Sequence, residues 1–311
     1  MSRGTALWLK LKMTSSGYFH YGRTDLKASG VLHGSSLAYD GLDWNRIAEV
    51  TDGAIESWAT AGSSPSEWEL LHRRSSHVLR TFVVISPFDL NEYFLSDFRA
   101  DIVPLVQTIR DLKECGADWE LSKMILRQYP LKYIRILFPT AGRSDGVMVG
   151  IRSLLMKSAR ASGIDAGDGP KFGGTSDIVE QKVSDWSTGR LQRRLAGMEV
   201  SSHGKHSFSG LKKMALERLL RQAGQQGEVF VIVMPLPPVY KNEFLTPGIA
   251  QDFEEAMLSI ERRFPRVRMI RLDYISAFDS NDLFWDIVHL NRDGQKIATE
   301  ALLKEMQGSA G

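Results

Sequence analysis

The chain has 311 residues, of which 43% are hydrophobic and 24% charged, enough for one large domain or two ordinary ones. That composition excludes disordered, collagen-like and disulfide-scaffold classes, and a single cysteine, Cys115, excludes an internal disulfide and a multi-cysteine zinc site. The formal charge of +2 hides an asymmetry: residues 121–222 hold 18 Lys/Arg against 8 Asp/Glu, and the remainder 21 against 29.

The N-terminal stretch Ala6–Met13 is too short and too charged for a signal peptide's apolar region. No segment approaches the roughly 18 apolar residues of a membrane span. The chain as it stands reads as soluble and cytoplasmic, and as extracytoplasmic if an anchor or signal has been removed ahead of Met1.

Short apolar runs ending in turn residues then follow in order. Gly30–His33 leads into Gly34-Ser35-Ser36, Ala54–Ala59 into Ala61-Gly62-Ser63-Ser64-Pro65, and Thr81–Ile85 into Ser86-Pro87. Val229–Met234 and Val267–Leu272 come much later. Runs of this kind fit strands buried on both faces of a parallel sheet. Helical patterns over Pro65–Arg80, Thr246–Phe264 and Asn291–Met306 alternate with them, which predicts a doubly wound α/β fold. The stretch 95–225 breaks the rhythm. Leu121–Leu137, Gly150–Ala161 and Lys205–Gln222 have helical spacing, and Ser162–Ser176 reads as a loop. The whole is expected to be one domain over 1–311 with a large, mostly helical insertion or cap at 95–225.

In open α/β sheets ligands bind beyond the carboxyl ends of the strands, so the turns after these strands should converge. A serine there can act as nucleophile if a histidine takes its proton and a carboxylate orients the ring. Ser35 and Ser36 are the candidate serines, and Asp286 and His289 lie one local turn apart. The Ser36 and Gly62 backbone N–H groups and the Asn91 amide would supply oxyanion donors. Each signal alone has a plainer reading. Gly-Ser-Ser is a common turn, Asp-x-x-His a helix start beside a surface histidine, Gly62 a tight-turn residue, and Asn91 a cap for a helix near Glu92.

Taken together, the blocks resemble the SGNH (GDSL-type) hydrolase and acyltransferase superfamily. His33-Gly34-Ser35-Ser36-Leu37 resembles its first block with Ser36 as nucleophile, and Ala59–Pro65 the second with Gly62 in the oxyanion hole. Val83–Glu92 resembles the third with Asn91 in the oxyanion hole, and Asp286-Ile287-Val288-His289-Leu290-Asn291 the last. The sequence departs from the family at Ser35, where Asp is usual, and at Asn91-Glu92, where Asn-Asp is usual. The third block also lacks its glycine-led approach, having Ser86-Pro87 instead. Gly-Ser-Ser with a final His-Leu-Asn resembles the subset linked to polysaccharide O-acyl modification, with relatives in alginate acetylation and teichoic-acid D-alanylation, often membrane-tethered.

The resemblance implies a three-layer, mainly parallel, flavodoxin-like sandwich. It also implies an ester hydrolase or O-acyltransferase for short acyl esters of a carbohydrate or secondary metabolite, through Ser36, His289 and Asp286 and without metal or organic cofactor. The alternative is a catalytically weak binding or assembly protein on the same fold.

The cationic middle includes Arg190, Arg193, Arg194, Lys212, Lys213, Arg218 and Arg221; Arg190, Arg193, Arg194 and then Arg218, Arg221 recur at helical spacing, and the set reads either as a solvated face or as a functional surface. As a surface they would suit an anionic polymer, an acidic partner or an anionic membrane. No nucleic-acid fold signature accompanies them. His203 and His206 have ligand-like spacing without a supporting cluster. His33 could face the site but fits a packed strand residue better, His20, His72 and His77 have no evident partners, and Cys115 reads as a structural thiol.

Overall fold

The computed structural model describes residues 29–51, 53–73, 78–95, 103–130, 181–202 and 204–308. The readings at Ala6–Met13, Gly150–Ala161 and Ser162–Ser176, those at His20, His77 and His203, and the end of Leu121–Leu137 lie outside the described residues.

Five strands form one sheet: β1 (Gly30–His33), β2 (Ile55–Ser57), β3 (Arg80–Ile85), β4 (Glu228–Val233) and β5 (Val267–Arg271). Their order is β2-β1-β3-β4-β5 and every pairing is parallel, as the continuous apolar runs require. Residues of opposite pleat feed two cores. Leu32, Phe82, Val84, Phe230, Ile232 and Ile270 pack with Ala38, Leu42, Ile47, Ala298 and Leu302. These partners come from α1 (Ser36–Gly41), its following loop, α2 (Trp44–Val50) and α11 (Arg292–Gly308). On the other face Val83, Ile85, Val229, Val231 and Val233 pack with α3 (Pro65–His72), α8 (Leu211–Gln226) and α10 (Pro247–Arg263). The result is a three-layer α/β sandwich, as the sequence predicts.

Pro65–Arg80 is shorter as a helix than its pattern suggested. α3 ends at His72, and Arg80 already begins β3.

Between β3 and β4 lie α4 (Pro87–Leu90), α5 (Leu105–Glu114), α6 (Trp119–Leu126), a 3-10 turn (Val183–Asp185) and α7 (Thr188–Ser202), ahead of α8. The last of these is not part of a cap. Leu216, Leu219, Leu220 and Ala223 of α8 are buried against Trp68 and the β3–β4 face, making it the crossover helix of the sandwich. Its sequence Lys205–Gln222 looked like insertion because the long preceding excursion masks the ordinary strand–helix–strand spacing.

α9 (Pro238–Phe244) follows β4 and contributes Tyr240 and Phe244 to a third apolar cluster, with Leu37, Ile287 and Val288. Among the described residues no helix is long and apolar enough to cross a membrane.

Candidate active site

Strand order reverses between β1 and β3, which opens a crevice at the carboxyl ends of the strands. At the end of β1 the chain turns at Gly34. A Cβ there would come within 2.3 Å of the Ala38 Cβ and 3.2 Å of the Val84 carbonyl, so only glycine lets α1 fold back so closely. Ser35 caps α1, its Oγ accepting the Leu37 N–H at 3.3 Å. Ser36 is then the first helical residue. Its N–H is one of those a helix start leaves unused and has no hydrogen-bond partner among the described residues. Its Oγ lies 2.8 Å from His289 Nε2. The two serines thus divide the work: Ser35 holds the helix, Ser36 meets the histidine.

Asp286 and His289 occupy a loop closed at its neck by the Phe284–Leu290 antiparallel bridge, with the Trp285 N–H donating to His289 O at 3.0 Å and the Asn291 N–H to Leu283 O at 2.9 Å. Inside it Asp286 Oδ1 accepts the Val288 N–H at 2.9 Å and the His289 N–H at 2.7 Å. This is the local turn that an Asp side chain makes with the backbone just after it. His289 Nδ1 is 2.9 and 3.0 Å from the two carboxylate oxygens. That network calls for the tautomer with Nδ1–H toward Asp286, leaving Nε2 to accept the Ser36 hydroxyl proton.

Burial works to raise the Asp286 carboxyl. The His289 charge, the ring hydrogen bond and the two loop N–H groups outweigh it and hold the group below the usual carboxylate range. For His289 the opposition is reversed: burial works downward, Asp286 and Asp40 work upward, and the imidazole ends above its ordinary value. The Arg194 charge pulls the other way.

Gly62 sits in the turn Thr60–Ser63, closed by the Ser63 N–H to Thr60 O at 3.0 Å, with φ of 73°. Positive φ at the third turn residue is the reason for glycine there. The Thr60 N–H (3.0 Å) and the Ser63 hydroxyl (3.1 Å) both donate to Gly34 O, which ties this turn to the residue preceding the serines. The Gly62 N–H has no partner among the described residues.

Asn91 is not joined to the triad by any hydrogen bond among the described residues. Its Nδ2 donates to Lys205 O at 3.1 Å, and its Oδ1 accepts from Tyr93 N at 3.3 Å and Ser207 N at 3.2 Å. The fully buried amide clamps the 205–207 segment, with one Nδ2 hydrogen outside that clamp. Glu92, next to Asn91, has a structural role of its own. Its Oε1 accepts the Lys212 N–H at 2.7 Å, placing a carboxylate on the first turn of α8.

Three residues around Ser36 and His289 escape sequence reasoning, and a fourth, His33, has a partner that the sequence does not disclose. Asp40 is one helical turn after Ser36 on the same face of α1, a spacing that was there to be read. Burial raises its carboxyl, and it shares the field of His289 and Asp286. Trp285 stacks on the His289 ring, with centroids 5.3 Å apart at 18°. Asp89, fully within the protein, accepts the Ser86 hydroxyl at 2.8 Å. Burial pushes its carboxyl up against the opposing pull of the Ser35 and Ser86 hydroxyls and the Lys212 charge. His33, just before Gly34, pairs its Nε2 with His72 Nδ1 at 3.1 Å. Only the spatial neighbourhood of α3 and β1 reveals this last contact. No group of three or more His, Cys, Asp or Glu side chains among the described residues forms a metal-ligating cluster.

The chain matches no protein-family model, and no curated protein matches it.

Proposed function

We propose that the chain is a serine-dependent ester hydrolase or O-acyltransferase acting on short acyl esters of a carbohydrate or secondary metabolite, with the chemistry of the SGNH-type enzymes its blocks resemble. The observation that carries the reading is the unbroken hydrogen-bonded series Ser36–His289–Asp286 at the end of β1. Ser36 Oγ attacks the ester carbonyl while its proton passes to His289 Nε2. Asp286 fixes the ring and stabilises the imidazolium. The tetrahedral oxyanion is received by the Ser36 and Gly62 N–H groups. Donors of this kind are worth ~3–4 kcal/mol each when removed from an oxyanion hole. On collapse the imidazolium gives its proton to the departing alcohol oxygen, leaving an acyl-serine. Water or an acceptor hydroxyl, deprotonated by His289, then takes the acyl group and restores Ser36.

A second reading, a catalytically weak binding or assembly protein, is favoured by Asn91, whose amide is engaged with the 205–207 backbone. A fluorophosphonate probe separates the two. Stoichiometric labelling that Ser36→Ala abolishes, with turnover of p-nitrophenyl acetate, supports the enzyme. Folded protein that takes up no label supports the binder.

A further inference from the structure

Two sets of cations within 121–222 differ in their surroundings among the described residues. On α8, Lys212 Nζ donates to Asp89 O at 2.9 Å, Lys213 Nζ to Ser259 Oγ at 3.1 Å, and Arg218 pairs with Asp111 at 2.8 Å and Glu114 at 2.6 Å. These hold the fold. On α7, Arg190, Arg193 and Arg194 are exposed, and none has a carboxylate partner among the described residues.

α7 is fixed against the catalytic segments. Leu191, Leu195 and Met198 pack on the cluster of Leu37, Tyr240, Phe244, Ile287 and Val288. Leu37 follows the nucleophile, and Ile287 and Val288 lie between the two other triad members. The turn that leads into α7 is tied to the same loop by the Val183 N–H to Phe284 O at 2.8 Å and by Ser184 Oγ to Asp282 Oδ1 at 2.5 Å. Arg194 lies beside Leu191 and Leu195, at the border of the stripe that packs on this cluster. Arg190, one turn earlier on the same edge, lies over the Trp186 ring at 3.8 Å.

We infer that these arginines, Arg194 foremost, bind an anionic group on the alcohol half of the ester that Ser36 attacks. The inference rests on the serine chemistry proposed above. The side follows from the mechanism: His289 hands its proton to the leaving oxygen, so the alcohol lies on the His289 side of Ser36, where α7 stands. Asp286 and Asp40 make that side acidic, and an anionic alcohol approaching it needs a fixed cation to offset the repulsion. The Arg194 charge already reaches His289, as its downward pull on the imidazole indicates. A guanidinium also suits a planar carboxylate, which it can grip through two parallel hydrogen bonds.

The test compares 3-acetoxybenzoate with its neutral counterpart 3-acetoxybenzamide, measuring kcat/KM for acetate release by the full chain. The native protein should favour the carboxylate by about fivefold, the reach of an exposed ion pair, and the preference should fall as salt is raised. Arg194→Glu should reverse the preference and Arg194→Lys should keep part of it. Equal kcat/KM for the two esters, or a ratio that Arg194→Glu leaves unmoved, overturns this inference alone. If neither ester is turned over, the serine chemistry fails and the inference falls with it.

Discussion

Two histidines invite comparison, because the residues around them drive them in opposite directions. His33 closes β1 three residues before Ser36, and His289 meets Ser36 from the far end of the chain. Both lie against a tryptophan: Trp58 stands edge-on to His33 at 5.5 Å, and Trp285 stacks on His289 at 5.3 Å. The difference is the polar partner. His289 faces Asp286, with Asp40 nearby, and its imidazole is raised. His33 faces another imidazole, and burial together with the His72 charge lowers it well below the ordinary value. Burial likewise pushes His72 down to about 4. One ring is therefore poised to take a proton and the other to refuse it. Proximity to a serine does not make a base; a carboxylate behind the ring does.

Removing the base tests that contrast most severely. His289→Ala should reduce ester turnover at least roughly 10³-fold, because the attacking hydroxyl loses its proton acceptor and the leaving oxygen its donor. His33→Leu should retain most of the turnover. Similar losses from the two variants, measured as kcat/KM on p-nitrophenyl acetate, would sink the division of roles.

Next in size is the cost of charging the buried pair. His33 and His72 have folded values below their unfolded one, so between pH 6.5 and 4 the unfolded chain binds more protons. Stability from the pair is full above about pH 6.5 and falls with pH toward 4. For His72 alone the difference is about 3 kcal/mol. Urea unfolding across that window should show the decline. The His33→Leu/His72→Leu double variant, which replaces both partners with apolar groups, should flatten it. A native chain whose unfolding free energy is constant from pH 7 to 4 would refute the account.

How far the sequence discloses these features follows from the range of the contacts. The sheet was readable because continuous runs such as Phe82–Ile85 and Val229–Val233 are buried on both faces, a property written into consecutive residues. The Asp286–His289 contact was readable because it is made within one turn. The resemblance already favours Ser36 over Ser35, and the cap geometry adds a physical reason: Ser35 Oγ accepts the Leu37 N–H while Ser36 Oγ meets His289. The engagement of Asn91 and Glu92 with residues 205–212 could not be read, because it depends on α8 returning to the sheet after a long excursion. The His33–His72 pair was hidden for the same reason: α3 and β1 meet only in the folded chain.

The smallest expected effect is the most direct measure of what sets the His289 value. The proposed mechanism needs His289 neutral, so kcat/KM should rise with pH along a limb whose midpoint lies above the ordinary histidine value, while Asp286 stays ionised throughout. Asp40→Asn removes one of the charges that raise the imidazole, and the midpoint should move to lower pH. Arg194→Ala removes the charge that opposes them, and the midpoint should move to higher pH. Asp40 does not touch Ser36 in any hydrogen bond among the described residues, so its variant should shift the limb more than it lowers the plateau. A plateau that drops with the limb unmoved would mean that Asp40 shapes α1 rather than the field at His289. Opposite shifts from the two variants would show that His289 is set by the charges on α1 and α7 as well as by its own loop.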